Sequence, residues 1–334
     1  MATELLVLTA AEIEGLLDLD AVHASQVRAF EGLGSGRAEL APKVSVPGRE
    51  GASLLTYTAR STTEAPGVVK VIGFQPQNPA NGLDPVQGVV LVMDPDTGQP
   101  VALLDGPALT TPRTAAGSAV AVDHLARPDA VTLTVIGTGV QARAHIRALL
   151  RVRGFERIHL VGRTAQGAQK LADELRDALA EVEFHPLAVT DEAAVAEAVA
   201  ASQVVVACTT SSTPVVPAAA VQPGTLVVSV GSFAPDRSEL PAELLGRADL
   251  VVVDDVATQL AQAGCIIDAV GVGTLGEDDL VPLGAVVTGR HPGRAREGDV
   301  VVYNSVGIAV QDATIAEAVL DRARAAGVGT TVTL

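Results

Sequence analysis

The chain has 334 residues, 48% of them hydrophobic but only 2% aromatic, and a formal net charge of −16. That length usually makes two domains, whose cores here must be built from Val, Leu, Ile and Ala. So acidic a chain, with no basic patch and no aromatic-interleaved stripe, excludes a nucleic-acid partner, and no uninterrupted apolar run is long enough to span a membrane.

In chain order, Thr9 reads as a cap before a helix over Ala10 to Leu17. A second helix is expected from Asp20 to Leu33. Strand-like runs follow at Ser53 to Thr58, Val68 to Phe74, Val89 to Asp94 and Val101 to Asp105, separated by turn clusters, so this part reads as antiparallel. Helical spacing returns from Thr110 to Leu125, and Ala126-Arg127-Pro128-Asp129 reads as a hinge. From Val131 strands and helices alternate. Strands are expected at 131–136, 157–161, 182–187, 203–207, 225–230 and 249–253, with helices such as Ala165 to Ala180, Asp191 to Ala201 and Leu240 to Ala248. That order is an α/β, doubly wound parallel sheet. After Gly264 the pattern weakens, apart from a strand at Val300 to Tyr303 and an amphipathic helix from Val310 to Ala326 that packs back on the first domain.

The most informative stretch is VTLTVIGTGVQARAH, residues 131–145. An apolar strand stops at Gly137-Thr138-Gly139, and a helical pattern follows, with Ala142, Ile146, Leu149 and Leu150 on one side. Glycines there let the backbone bend and approach a pyrophosphate, whose charge faces free helix N–H groups. The pattern is G-x-G-x-x-A; its alternative is an ordinary glycine turn. The next strand ends at Gly162-Arg163-Thr164, where an NAD site usually carries an acid for the ribose 2′-hydroxyl. A guanidinium fork and a hydroxyl suit a 2′-phosphate instead, which favours NADPH over NADH. Otherwise Arg163 is a solvated helix-entry residue.

Lys70 lies in the apolar run VVKVIGF, where a lysine is costly unless it is paired or used. Facing a cleft, it is a candidate acid or anion anchor; on an edge strand it would simply sit in water. Arg113 follows Pro112, which is expected in the first turn of a helix. Arg113 would then lie near the helix's positive end, aimed at a substrate carboxylate or cofactor phosphate, or else form a surface ion pair. Thr209, Thr210, Ser211 and Ser212, with Val230 to Phe233, sit at other carboxyl ends of the sheet, where ligands bind. His145 reads as a packing or helix-surface residue. Asp254-Asp255 and Asp278-Asp279 read as solvated loop charges, and no metal site is expected. Cys208 and Cys265 match no redox or metal spacing and are expected to be reduced. The acidic start does not read as a signal peptide, which points to a cytoplasmic protein.

Five segments, VVKVIGFQPQNPANGLDPVQG, VALLDGPALTTPRTAAGSAVA, VTLTVIGTGVQARAH, VGSFAPDRSEL and VVVYNSVGIAVQD, together resemble the ornithine cyclodeaminase/mu-crystallin family. They occur in the family's order and cover nearly the whole chain. The resemblance implies a substrate-binding and dimerising α+β domain, residues 1–125 plus 306–334, around a Rossmann domain, residues 126–305, and a homodimer. By motif, Lys70 and Arg113 would be the substrate-site cations and the catalytic groups. Thr138 to Gln141, Arg163, Thr164, Thr209 and Val230 would line the cofactor, and Ser305 and Val306 would lie near the nicotinamide and substrate. Three positions depart from the family. Lys43 stands where the first carboxylate-binding arginine is usual. Phe233 replaces the cyclodeaminases' catalytic aspartate and cannot exchange protons. Asn304 stands where many relatives have lysine. The expected activity is NADPH-dependent reduction of an α-imino acid to the L-amino acid, with NADH as the second cofactor. The expected substrate is a cyclic ketimine such as Δ1-pyrroline-2-carboxylate or Δ1-piperideine-2-carboxylate. An alanine-type amino-acid dehydrogenase, an iminosuccinate reductase, a cyclodeaminase and a non-catalytic NADPH-gated binding protein are the alternatives.

Overall fold

The computed structural model describes residues 3–334. The chain makes two compact units: one from the residues through Arg113 together with Ile308–Leu334, the other from Thr114–Gly307. The sequence expectation put the borders at 125/126 and 305/306. The first border falls instead inside a helix, between Arg113 and Thr114, and the second after Gly307.

The first unit opens with a strand, β1 (Glu4–Leu8), that the sequence did not announce. Distant chain makes it a strand, because Leu6 pairs in parallel with Ala102 and antiparallel with Thr331. The expected cap is present. Thr9 and Glu12 form a reciprocal capping box on α1 (Ala10–Leu16), which satisfies two of the helix's free N–H groups. Asp18 caps α2 (Leu19–Gly34), accepting from the Ala21 N–H at 2.7 Å. Then come β2 (Glu39–Leu40), β3 (Val44–Pro47), β4 (Ser53–Arg60), β5 (Gly67–Phe74), β6 (Val86–Met93) and β7 (Pro100–Asp105). The pairs from β4 through β7 are antiparallel as expected; only β1 with β7 is parallel.

The Asp105 carboxylate accepts from the Ala108 N–H at 2.9 Å and starts α3 (Gly106–Leu125) ahead of Thr110. Pro112 is therefore inside the helix and not in its first turn. Arg113 accordingly lies beyond the positive end it was expected to occupy.

The second unit runs β8 (Thr132–Ile136), α4 (Val140–Leu150), β9 (Arg157–Gly162), α5 (Ala165–Arg176), β10 (Glu183–Ala188), α6 (Glu192–Ala201), β11 (Val204–Ala207) and β12 (Leu226–Ser229). It continues with α7 (Ala242–Arg247), β13 (Leu250–Val253), α8 (Val256–Gln262), α9 (Gly264–Gly271), β14 (Leu280–Pro282), α10 (Leu283–Val287) and β15 (Val301–Asn304). After Gly264 the strand expected at Val300 to Tyr303 is β15, whereas α9, β14 and α10 are too short for periodicity to reveal them. The sheet order is β10-β9-β8-β11-β12-β15-β13-β14, and every pair is parallel. Every residue of β8, β11, β12 and β15 is buried, as strands covered on both faces require. Strand order reverses between β8 and β11, the crevice where such sheets bind ligands.

The chain returns to the first unit with α11 (Ala309–Ala326) and β16 (Thr330–Thr333). The helix is not simply amphipathic: Ala309 through Ala316 are all buried, because α2, β4 and β5 pack against it. The first unit's sheet has the order β16-β1-β7-β6-β5-β4-β2, with β3 on β4. Side chains in register share a face. One row reads Tyr57, Lys70, Val90, Leu104, and Lys70 is its single charge. Among the described residues, no helix is long and apolar enough to cross a membrane.

Candidate active site

Lys70 is not on an edge strand, since β5 pairs on both sides and the side chain is 1% exposed. A charge in that row must find a counter-charge on the helix that covers it. Asp312, in the first turn of α11, supplies it: Lys70 Nζ lies 2.5 Å from Asp312 Oδ2. Arg113 reaches the same carboxylate, donating from Nε to Asp312 Oδ1 at 3.1 Å and from Nη1 to Gln311 Oε1 at 3.3 Å. Arg113 is thus a buried ion pair, not a surface one. Tyr57, the register partner of Lys70, presents its ring 4.5 Å from Lys70 Nζ and 5.6 Å from Lys43 Nζ.

Two buried cations face one carboxylate, which leaves one unit of positive charge in a site with little water. Burial, and secondarily Arg113, pull the Lys70 ammonium down to about 8; Asp312 opposes them. An ammonium tuned to that range can anchor an anion or release a proton. Sequence reasoning found Lys70 and Arg113 and missed Asp312, Gln311 and Tyr57. The signal for Asp312 was available, because it shares the apolar helix face of Ile315, Ala316 and Val319 and a charge there calls for a partner.

In the second unit the glycine turn follows β8 as expected. Gly137 has φ 122°, and a Cβ on it would lie 2.6 Å from the Cys208 carbonyl oxygen. Gly139 faces open space. It opens α4 without a side-chain cap, so the first N–H groups of that helix point to whatever lies beyond. Gln141 Oε1 is buried and has no hydrogen-bond partner among the described residues. Open space and uncapped N–H groups fit a dinucleotide pyrophosphate, while the Gln141 oxygen, an acceptor, calls for a donor such as a ribose hydroxyl. At the end of β9, Gly162 is buried, Arg163 is exposed, and Thr164 caps α5 by accepting from the Gly167 N–H at 3.1 Å. The Thr164 hydroxyl proton stays available to a ribose or phosphate oxygen.

His145 is a packing residue, as its sequence context suggested. Its Nδ1 donates to the Gln141 carbonyl at 2.8 Å, so Nε2 carries no proton and accepts from the Ser118 hydroxyl at 2.9 Å. Burial pushes it down to about 4, and it stays neutral.

Two buried carboxylates organise the other strand ends, and neither was expected. Glu239 accepts from Thr209 N, Thr209 Oγ1, Ser229 Oγ and Gly231 N at 2.5–2.9 Å. Asp254 is 1% exposed and not the solvated loop charge expected. Its Oδ2 accepts from Ser305 Oγ, Val306 N and Gly307 N at 2.8–3.0 Å, and its Oδ1 from Gln259 Nε2 at 2.7 Å. The turn after β15 wraps round this carboxylate, which is why Asp254 is buried. Asp255 caps α8. Asn304 is spent inside, donating to Gln259 Oε1 at 2.6 Å and facing Cys265 Sγ at 3.4 Å. Phe233 is exposed and Arg237 lies over its ring at 5.1 Å; Thr210 is exposed and Val230 half-buried. No group of three or more His, Cys, Asp or Glu that could hold a metal occurs among the described residues.

A doubly wound sheet with an uncapped glycine turn at its switch point in the second unit, and a buried Lys–Asp–Arg cluster in the first, is the construction of a nicotinamide-dependent oxidoreductase. The chain belongs to the ornithine cyclodeaminase/mu-crystallin family, whose pattern matches residues 3–327. It is 33% identical over 328 residues to a Δ1-pyrroline-2-carboxylate reductase of Bacillus cereus, covering 97% of this chain and 98% of that one. The Thermococcus litoralis Δ1-pyrroline-2-carboxylate reductase, solved with NADH and L-proline, superposes with a TM-score of 0.92 at 31% identity, over 98% of this chain and 100% of that one. An archaeal alanine dehydrogenase dimer with bound NAD superposes with a TM-score of 0.90 at 29% identity, over 99% of both chains.

Proposed function

We propose that this enzyme reduces a cyclic α-imino acid to the L-amino acid, with Δ1-pyrroline-2-carboxylate and Δ1-piperideine-2-carboxylate as the leading substrates and NADPH as the preferred cofactor. The observation that carries the reading is the surplus positive charge of the Lys70–Asp312–Arg113 cluster. A small acid can neutralise it, and the same Lys70 can hold a proton near neutral pH. When bound, the reduced nicotinamide supplies the hydride. Arg113 and Lys43 take the carboxylate and fix the imine carbon, so that orientation is supplied in advance. Lys70 keeps a proton on Nζ for the imine nitrogen, and a protonated iminium is the better hydride acceptor. Phe233 and Val306 line the substrate. Gly137 to Gln141 hold the pyrophosphate, Gly162, Arg163 and Thr164 the adenosine ribose, and Thr209, Thr210, Val230 and Ser305 the nicotinamide half.

The test is a panel of preformed cyclic imines beside pyruvate plus ammonia, each with NADPH and NADH, followed by absorbance loss. Cyclic imines with NADPH are expected to give the highest kcat/KM. Losing the Arg163 fork should erase the NADPH preference, at a cost of about tenfold or more in NADPH affinity for a charged hydrogen-bonding partner. Turnover confined to pyruvate plus ammonia would move the assignment to an amino-acid dehydrogenase. Ammonia release from ornithine is not expected, because Phe233 carries no exchangeable proton.

The homodimer is proposed from the outer face of the first unit's sheet. There Val44 and Val46 on β3, Leu54 on β4 and Val89 on β6 are 41–56% exposed, and α11 covers the opposite face of β4 and β6. A second copy of the same face buries them by self-complementarity, as a two-fold interface requires. Light scattering should give twice 33.9 kDa, and the double change Val46→Glu, Leu54→Lys should halve that mass.

A further inference from the structure

Glu239 has no part in the chemistry described above, yet its side chain is fully buried and no cation is among its hydrogen-bond partners among the described residues. Burying a carboxylate is expensive unless donors replace its water. Here four do. Oε1 takes the Thr209 N–H at 2.5 Å and the Thr209 hydroxyl at 2.8 Å; Oε2 takes the Ser229 hydroxyl at 2.9 Å and the Gly231 N–H at 2.6 Å. The backbone of Glu239 joins in. Its N–H donates to Ser232 Oγ at 3.0 Å, and its carbonyl accepts from Val215 N at 2.9 Å. One residue thus ties the turn after β11 to the turn after β12. The fit leaves no slack, since a Cβ on Gly231 would lie 2.5 Å from Glu239 Oε1 and 2.3 Å from the Thr209 carbonyl oxygen.

The topology says which half of a dinucleotide these turns face. The ribose-reading turn ends β9, on one side of β8; β11 and β12 lie on the other side. A dinucleotide laid across the switch point puts its second mononucleotide over β11 and β12.

We propose that Glu239 is a positioning residue for the nicotinamide half of the cofactor, holding the turns after β11 and β12 in the shape that receives it. This rests on the dinucleotide reading above. The carboxylate is needed because it alone can accept from two main-chain N–H groups and two hydroxyls at once. In Glu239→Gln one oxygen becomes an NH2 that cannot accept, and either the Thr209 or the Gly231 N–H is stranded.

The test is equilibrium binding of NADPH against 2′-phospho-ADP-ribose, with NADH against ADP-ribose as a second pair. The truncated ligands lack the nicotinamide. Glu239→Gln should weaken the complete cofactors by about tenfold or more, the scale of a lost charged hydrogen bond. It should leave the truncated ligands within about twofold, since they draw on the β8 and β9 ends alone. Equal losses for both ligands of a pair, or no loss for either, would overturn the proposal. If Glu239→Gln does not fold, Ser229→Ala removes one of the four donors and should still weaken NADPH selectively, by about threefold; an unchanged ratio there overturns it as well. Wild-type protein that binds none of the four ligands would instead sink the cofactor reading itself, and this inference with it.

Discussion

Lys70→Ala is expected to lower kcat for cyclic imine reduction by about 10³-fold, within the range that a positioned acid contributes, while NADPH binding is held. The expectation follows from the site's construction. Among the described residues, Lys70 is the one cation whose proton is mobile near neutral pH and which sits against both a carboxylate and a second cation. Arg113 cannot substitute, because a guanidinium does not release its proton in this range. The pH profile gives the sign. The reaction needs Lys70 protonated, so kcat/KM should be flat at neutral pH and fall as pH rises through about 8. Lys70→Arg should keep substrate binding better than Lys70→Ala but recover little turnover, and it should lose the alkaline limb. Near-normal turnover in Lys70→Ala would remove Lys70 from the mechanism, and stopped-flow binding of NADPH separates that result from misfolding.

Asp312→Asn should cost about 3–5 kcal/mol of stability, the range for removing one partner of a buried ion pair. Lys70 and Arg113 would then face each other with no negative charge to separate them. Denaturant unfolding measures the loss. The activity readout is independent. Asp312 holds the Lys70 ammonium up against burial and Arg113, so its removal should move the alkaline limb of kcat/KM below pH 8. A limb that stayed in place would mean that the titrating group is not Lys70. The same substitution should raise the affinity for a carboxylate substrate or for proline, because a competing anion has left the site.

Much of this was legible in the chain because it is local. The turn after β8, its helix and the strand ending at Gly162-Arg163 are adjacent segments whose glycines, caps and apolar runs act over a few residues. The exceptions arise where a partner is remote in sequence. Strand β1 exists because of residues 102 and 331. Helix α3 is the one local miss: Asp105 caps it from three residues away, which moved Pro112 and Arg113 into the helix interior. Asp254 looked solvated because nothing in its neighbourhood shows that the turn after β15 will close on it.

The sequence by itself determined the alternation of the second unit, the glycine turn, the absence of an acid at the end of β9, and the cost of a lysine in an apolar strand. Tertiary structure alone decided what offsets that cost. It set Asp312 against Lys70, 242 positions away by their numbers, and against Arg113, 199 positions away, and it set Glu239 and Asp254 under the strand ends. The reason is that a charge announces its need for a partner in the chain around it, but which group answers depends on the register and packing that bring distant segments within 3 Å.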